Sequence, residues 1–527
     1  MKTRKTKSYI VLSSCYLGTS EDILAIYSNI AKEYGAETIH LGPVASDREA
    51  VDHARLSKKA KQMSDRLDAK ISKGKSRTES IDKLEEDLAF LLSDINRIDQ
   101  TVRARVAVLA GHFKNISFVV PPKSLPIKNS GVKVIERECV LSRYLYLSGI
   151  APITNNATVR PVNDKALSYL RKKGHKYSWI VPHPVPAIVP YPRPGLNQAH
   201  NYYTVGSLKH IEEPDSRTDM SRCSFDPCAL LVLVDQETGE FFANQLFIDY
   251  GEGKGFKLGK PMVLIDGQVF TAAGVKEAKS VDRATACWDD HTPDNHPGVL
   301  GCVRACNEML EPATFINGGD ACDMPSVNRH SVGLPGQREG TRILSDIVSL
   351  QKLLSAQTEF PSIKTRILLD SNHHGWLDIF VDKNPEVKGI LDWDAIAAKF
   401  FPQWRFVLAK KGEQEIVRFG DFAVRHGHQE RDLARAEKMF PKGKYARGHA
   451  HKFQAVHRAM TIGCGSRLAP DYTENQVNDW QSMFATFTKY EGITACIAKT
   501  VFHNDKKETS KFSYRNQIVE AKWFVIK

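Results

Sequence analysis

The chain is 527 residues long and carries a formal net charge of +12, with a sequence pI near 9.0. Hydrophobic residues make up 42% and charged residues 25%, the balance of a globular protein long enough for two to four domains with their own cores. No apolar run approaches the ~18–20 residues of a helical membrane span, and the basic excess favours a polyanionic partner such as nucleic acid.

The opening segment, "MKTRKTKSYIVLSSCYLG", imitates a signal peptide with a lipoprotein-like "LSSC". Its apolar stretch is shorter than the ~7–15 residues of a true h-region, so Tyr9 to Ser14 reads as a first β-strand. A helix from about Ser20 to Tyr34 and a strand over Glu37–Leu41 follow. Ile81, Leu84, Leu88, Leu91, Ile95, Ile98 and Val102 then recur at spacings of three and four, a heptad seam. Leu56, Ala60, Met63 and Leu67 repeat the spacing before Gly74, predicting a helical hairpin over about residues 50–104. Either its arms pack only on each other, or so narrow a stripe serves oligomerisation or straddles DNA.

Strands are expected near Ile116–Val120 and Val132–Glu136, then a proline-rich stretch, "IVPHPVPAIVPYPRPG", and a β-hairpin turning at Glu237–Gly239. "GEGKGFKLG" (251–259) reads as a linker or an exposed hairpin, and a second α/β segment begins near Val281. Two echoes suggest tandem copies of one fold: "YYTVGSL" (202–208) and "MTIGCGSRL" (460–468) each precede a hairpin. The expected division is a first domain over 1–250, a linker over 251–280, a second domain over 281–510 and a tail over 511–527. The ten cysteines show no CxxC pair and read as reduced, buried thiols of a cytoplasmic protein.

Five polar clusters in the second segment each follow β-like residues. "ATACWDDHTP" supplies Asp289 and His291; "ATFINGGDACD" supplies Asp320 and Asp323; "RILLDSNHH" supplies Asn372 and His373. "FAVRHGH" supplies His426 and His428, and "RGHAH" supplies His449 and His451. In an extended chain residues i and i+2 point the same way, so Asp289 with His291, and His449 with His451, can each present two ligands together. Imidazole, carboxylate and amide groups suit Mn, Fe, Co or Zn. Seven such ligands exceed one tetrahedral sphere, which implies two metals sharing a carboxylate.

Asp-x-His, Gly-Asp-x-x-Asp, Asn-His, His-Gly-His and Gly-His-x-His, in this order, resemble the five signatures of the calcineurin-like metallophosphoesterases. The resemblance runs from Asp289 to His451, under a third of the chain. It implies an α/β fold of tandem four-layer α/β/β/α sandwiches, the first degenerate and carrying the helical hairpin. It also implies two divalent ions, Mn foremost with Fe, Co, Zn or Mg as alternatives. Asp289, His291, Asp320 and His451 would hold one metal. Asp320, Asn372, His426 and His449 would hold the other. His373 takes the place of the catalytic acid and Asp323 of the carboxylate that orients it. Two positions depart from the pattern: Ser371 stands where a glycine is usual, and His374 where an acidic residue is usual. Neither removes a ligand, but local loop geometry and substrate contacts are put in question. The first segment resembles a damaged copy, with "LSSCYLG" in place of Asp-x-His, Gly42-Pro43 in place of Gly-Asp, and Pro121-Pro122 after its third strand.

Three functions compete. The first is a nuclease acting on DNA. Residues 1–280 hold 40 Lys/Arg against 31 Asp/Glu, and Arg171, Lys172 and Lys173 interleave with Tyr169, Tyr177 and Trp179 as phosphate contacts and stacking surfaces. Lys442 and Lys444, just before the last motif, would meet the flanking phosphates with Arg447 close by, and His428 would either support the ligands or contact a phosphate. Both basic stretches also read as solvated surface. The second is a phosphatase or phosphodiesterase for protein or nucleotide substrates, and the third a non-enzymatic scaffold with structural metals. Whole-chain organisation resembles the host-DNA-degrading metallophosphoesterases of large tailed bacteriophages, which implies a Mn-dependent homo-oligomer, joined through the hairpin, in an infected bacterial cytoplasm.

Overall fold

A computed structural model describes residues 1–13, 20–41, 47–72, 79–120, 132–136, 138–149, 177–182, 186–191, 200–206, 208, 227–251, 259–276, 280–328, 339–408, 416–430, 432–433, 439–440, 443–469 and 479–526. Among these, seven α-helices and five β-sheets form a mixed α/β protein. No described helix is long and apolar enough to cross a membrane.

One six-stranded sheet runs Phe241–Phe247, Cys228–Asp235, Thr6–Ser13, Glu37–Leu41, Ile116–Val120, Lys133–Glu136. The last four strands are parallel, and the hairpin lies antiparallel to Thr6–Ser13. A second sheet has the same order and senses, Ile493–Thr500, Met483–Tyr490, Asp282–Cys287, Thr314–Asn317, Thr365–Leu369, Arg405–Val407. The opening segment is therefore a strand, with Tyr9 to Leu12 buried.

The ten-stranded sheet is also built of two matching fives. One runs Glu138–Ser142, Leu145–Ser148, Ser178–Val181, His200–Thr204, Ala187–Tyr191; the other runs Val417–Phe419, Phe422–Val424, Tyr445–Arg447, Ala459–Thr461, Gln454–Val456. Their pairings share the sequence antiparallel, parallel, parallel, antiparallel. The fives meet where Ala455 pairs with Ile188 and Val456 with Ala187. His200–Thr204 and Ala459–Thr461, the strands of the two sequence echoes, occupy equivalent places. One continuous core links all three large sheets, from Tyr9 and Val119 through Ile188 and Tyr203 to Ala286, Ile316, Val424 and Ala446.

Buried ions join the halves as well. Asp249 meets Lys444 at 2.9 Å and Arg458 at 3.0 Å; Asp266 meets Lys499 at 2.6 Å; Asp235 meets Lys511 at 2.8 Å. All these side chains are at most 6% exposed, so each carboxylate is met by a cation distant in sequence rather than by water, and Asp235 has Arg4 at 3.7 Å besides.

Two expected boundaries are corrected. Residues 259–276 are not a linker: Pro261–Ile265, Gln268–Thr271 and Gly274–Lys276 form an antiparallel meander, while 252–258 and 277–279 lie outside the described residues. Asp266 and Gly267 at its first turn both have positive φ, the Asp-Gly hairpin signal that a reading for flexibility passes over. Nor are residues 511–527 a tail. Thr509–Tyr514 and Gln517–Lys522 form a hairpin that also pairs Lys2 with Glu520 and Thr3 with Val519, because Phe512, Ile518 and Val519 are core residues.

The helical hairpin exists, as Asp47–Ile71 and Glu79–His112. Ala60, Met63 and Leu91 cluster with Leu56, Leu84, Leu88 and Ile95, so the seam closes on the opposite arm and is not offered to another subunit. Nearer the body, Val102, Val106 and Leu109 enter the core beside Ile23 and Tyr27. Phe90 and Leu92 lie on the outside, 69% and 52% exposed.

Candidate metal centre

Three of the five motifs sit beyond the carboxyl ends of adjacent parallel strands. Asp289 and His291 follow Asp282–Cys287, Asp320 and Asp323 follow Thr314–Asn317, and Asn372 and His373 follow Thr365–Leu369. The other two come from the ten-stranded sheet: His426 follows Phe422–Val424 and His449 follows Tyr445–Arg447, also parallel neighbours. The site thus lies between two sheets rather than along one edge. Trp288 ties them together, its indole Nε1 donating to Arg425 O at 2.9 Å. A Cβ on Gly318 would lie 1.9 Å from that indole nitrogen, so only glycine fits there.

The ligand groups converge as the motifs imply. Asp289, His291 and His451 place one donor atom each within 4.8 Å of one another, and so do Asp320, His426 and His449. Asn372 joins the second set, its Oδ1 2.8 Å from His426 Nε2. Asp320 Oδ2 stands 3.2 Å from His426 Nε2 and 3.9 Å from His291 Nε2, between the two sets. His291, Asp320 and His373 form a third grouping, so His373 faces the same space.

Hydrogen bonds aim these groups inward. His291 Nδ1 lies 3.0 Å from Asp323 Oδ1, and His426 Nδ1 lies 3.2 Å from the carbonyl of Gly318, which leaves each Nε2 as the ligating atom. The amide of His449 donates to Asp289 Oδ2 at 2.7 Å. Asp289 Oδ1 is buried and has no hydrogen-bond partner among the described residues. His291 Nε2 and His451 Nε2 face each other at 3.2 Å. An orphaned carboxylate oxygen beside converging imidazole nitrogens fits a divalent cation.

Burial pushes the Asp289 carboxyl up to about 7, with His426 opposing and the charge of Asp320 adding. Burial would lower His291, but its hydrogen bond to Asp323 and the charges of Asp320 and Asp289 prevail and hold it at about 9. Asp323 is driven well below the carboxylate range, because hydrogen bonds from His291 and His373 together outweigh its burial. The backbone is strained as well: Asp289, His291, Asp320, His449 and His451 have φ of 53°, 49°, 47°, 64° and 55°. Left-handed conformations of such residues cost on the order of 1–3 kcal/mol each and gather at functional sites.

His373 Nδ1 is 3.1 Å from Asp323 Oδ1, its Nε2 is 3.8 Å from Asp320 Oδ2, and its side chain is 13% exposed. His374 does not compete with it. Its ring is 1% exposed and packs on Trp393 at 4.7 Å, and burial lowers it to about 4 despite Asp370. His428 lines the site, its ring centre 5.6 Å from that of His426 and 6.2 Å from that of His449.

Two expected substrate contacts are corrected. Lys444 is fully buried, donating to Asp421 Oδ2 at 2.8 Å and the carbonyl of Thr494 at 2.9 Å besides pairing with Asp249. Arg447 is 5% exposed and donates to Thr461 Oγ1 at 3.0 Å and to the carbonyl of Glu430. Both cations serve the framework, because buried carboxylates and carbonyls distant in sequence claim them. Lys442, Arg171, Lys172 and Lys173 lie outside the described residues, as do the first-half positions Gly42-Pro43 and Pro121-Pro122.

The motifs pass over three supporting residues. Trp376 packs at a tilt on His373 at 3.9 Å, and Trp480 meets His451 edge-on at 4.1 Å. Asp290 Oδ2 accepts from Asn317 at 2.9 Å and Gln357 at 3.0 Å, bracing the loop between Asp289 and His291; its place within "WDDH" is the one hint the sequence offers. All the candidate metal groups among the described residues belong to the second half. Comparison with known protein families, curated proteins and solved structures finds no match.

Proposed function

We propose that the chain is a binuclear metal-dependent phosphodiesterase, acting as a DNA nuclease. The observation that carries this is the convergence of five loops from two sheets on two overlapping ligand sets that share Asp320. Asp289, His291, Asp320 and His451 would hold one ion; Asp320, Asn372, His426 and His449 would hold the other. Two such ions supply charge neutralisation of a phosphate and a nucleophile at neutral pH. The protein's own part is proton transfer. His373, with Nδ1 held by Asp323 and Nε2 turned inward, keeps a proton at Nε2 and gives it to the departing alkoxide oxygen. Structural metal sites would need no such pair, which argues against a scaffold.

The matching strand orders support reading the halves as tandem metallophosphoesterase-like sandwiches, the first degenerate. The charge of +12 supports a polyanionic substrate. Manganese, a homo-oligomer joined through the hairpin, and a bacterial cytoplasm rest on the resemblance alone. A small phosphoester is the second reading, favoured by the burial of Lys444 and Arg447, which takes two cations from the proposed DNA path. Purified protein incubated with plasmid DNA and with a small chromogenic diester, each with Mn, Mg or EDTA, separates the readings. Metal-dependent cleavage of both supports the nuclease, cleavage of the diester alone supports the second reading, and no hydrolysis of either defeats both.

A further inference from the structure

The ligand loop that carries His451 is held from the first half of the chain. Gln481 is the link. Its backbone N–H donates to the carbonyl of His451 at 2.8 Å, while the neighbouring indole of Trp480 packs on the His451 ring. The Gln481 side chain is 1% exposed and forms a closed amide pair with Asn201, 5% exposed. Asn201 Nδ2 donates to Gln481 Oε1 at 3.2 Å, and Gln481 Nε2 donates to Asn201 Oδ1 at 2.9 Å. Asn201 Nδ2 also reaches the Tyr203 hydroxyl at 3.1 Å, and the Asn201 backbone N–H donates to Ser178 Oγ at 3.1 Å. Asn201 lies on His200–Thr204, in the half of the ten-stranded sheet contributed by residues 138–204.

We infer that Asn201 is a positioning residue for the metal centre, acting through Gln481 on His451, and that this is one function the first half keeps. The inference rests on the metal-centre reading above. A buried amide that loses its partner must reorient or shift to find another, and the nearest backbone it can move is that of Gln481, which bears on His451. His451 belongs to one ligand set only, with Asp289 and His291. The effect should therefore fall on one ion and spare the other, since among the described residues this pair makes no hydrogen bond to Asn372, His426 or His449.

Calorimetric titration of the full chain with Mn, alongside electron paramagnetic resonance, tests this. Wild type should take up two ions and give the spectrum of a coupled pair. Folded Asn201→Leu should lose ten- to a hundredfold in affinity at one site, the range for groups that orient ligands. Its other site should be unchanged and its spectrum that of isolated Mn. Asn201→Asp, which keeps an acceptor for Gln481 Nε2, should lose less, and it decides the matter if the leucine variant does not fold. Unchanged affinity at both sites, or equal loss at both, overturns the role given to Asn201 while leaving the metal centre standing. A wild-type chain that binds no Mn, Fe, Co, Zn or Mg overturns the metal reading itself.

Discussion

His291 and His451 point their Nε2 atoms at each other across 3.2 Å, although 160 residues separate them. Two imidazole nitrogens that close share either a proton or a cation. Dialysis against EDTA should lower the melting temperature, and Mn should restore it, since a ligand at a hundredfold excess over its Kd stabilises by ~2.7 kcal/mol. His451→Ala should bring the metal content measured by mass spectrometry from two ions to one. Two ions retained in that variant would remove His451 from the ligand set.

Asp320 stands between both sets, so Asp320→Asn should abolish hydrolysis and weaken both ions, while circular dichroism shows the fold intact. Turnover near the wild-type rate with both metals bound would contradict the bridging role.

His373→Ala should keep both metals and lose rate, general acid catalysis being worth ~10²–10⁴-fold. The loss should be smallest on substrates whose leaving group needs no proton. A variant lacking one metal would make His373 a ligand, as its grouping with His291 and Asp320 permits.

Lys444→Ala should be a stability mutation. Breaking a buried pair by removing one partner costs ~3–5 kcal/mol, which denaturant unfolding would register, with DNA and small-diester hydrolysis affected alike. Selective loss on DNA, with unfolding unchanged, would return Lys444 to the substrate path.

Acid should loosen the joint between the halves. Burial alone would raise Asp249, but the charges of Arg458 and Lys444 outweigh it and hold its pKa below the ordinary carboxylate value; Asp235, with Lys511 beside it, is lowered too. A depressed folded-state pKa gives stability that is complete above the unfolded value of about 3.9 and is lost as pH falls through the folded one. The difference in unfolding free energy between wild type and Asp249→Asn, measured from pH 6 downward, should therefore be flat at first and then shrink below about pH 4. A fall beginning near neutrality would assign acid sensitivity to other groups.

The site was more legible in the sequence than its surroundings. Each ligand motif begins two or three residues after a parallel strand, so local pattern alone placed Asp289, Asp320, Asn372, His426 and His449 at strand ends. The hairpin arms were legible because the spacing of Leu84, Leu88, Leu91 and Ile95 is a property of the helix itself. What their seam meets was not, since Ala60 and Met63 lie on the other arm. Lys444 was misread because the groups that bury it, Asp249, Asp421 and the carbonyl of Thr494, are 23 to 195 residues away. The strand pairing of Ile188 with Ala455 has no local signature either, and with it went the join between the halves.

The pairing of Lys2–Thr3 with Glu520–Val519 sets the order in which the molecule can be made. During synthesis the first half emerges with Asp235 in its hairpin strand beside Arg4, and the second cation that meets it, the Lys511 ammonium, follows some 276 residues later. Contacts of such sequence separation slow folding, because loop closure must precede their gain. The N-terminal half therefore waits on the ribosome with Arg4 as the one cation beside Asp235 and with an open sheet edge, exposed to chaperones and to self-association. Joining residues 2 and 520 by a short linker and opening the chain elsewhere would bring these partners together early. Such a permuted chain should refold faster without any change at the ligand loops.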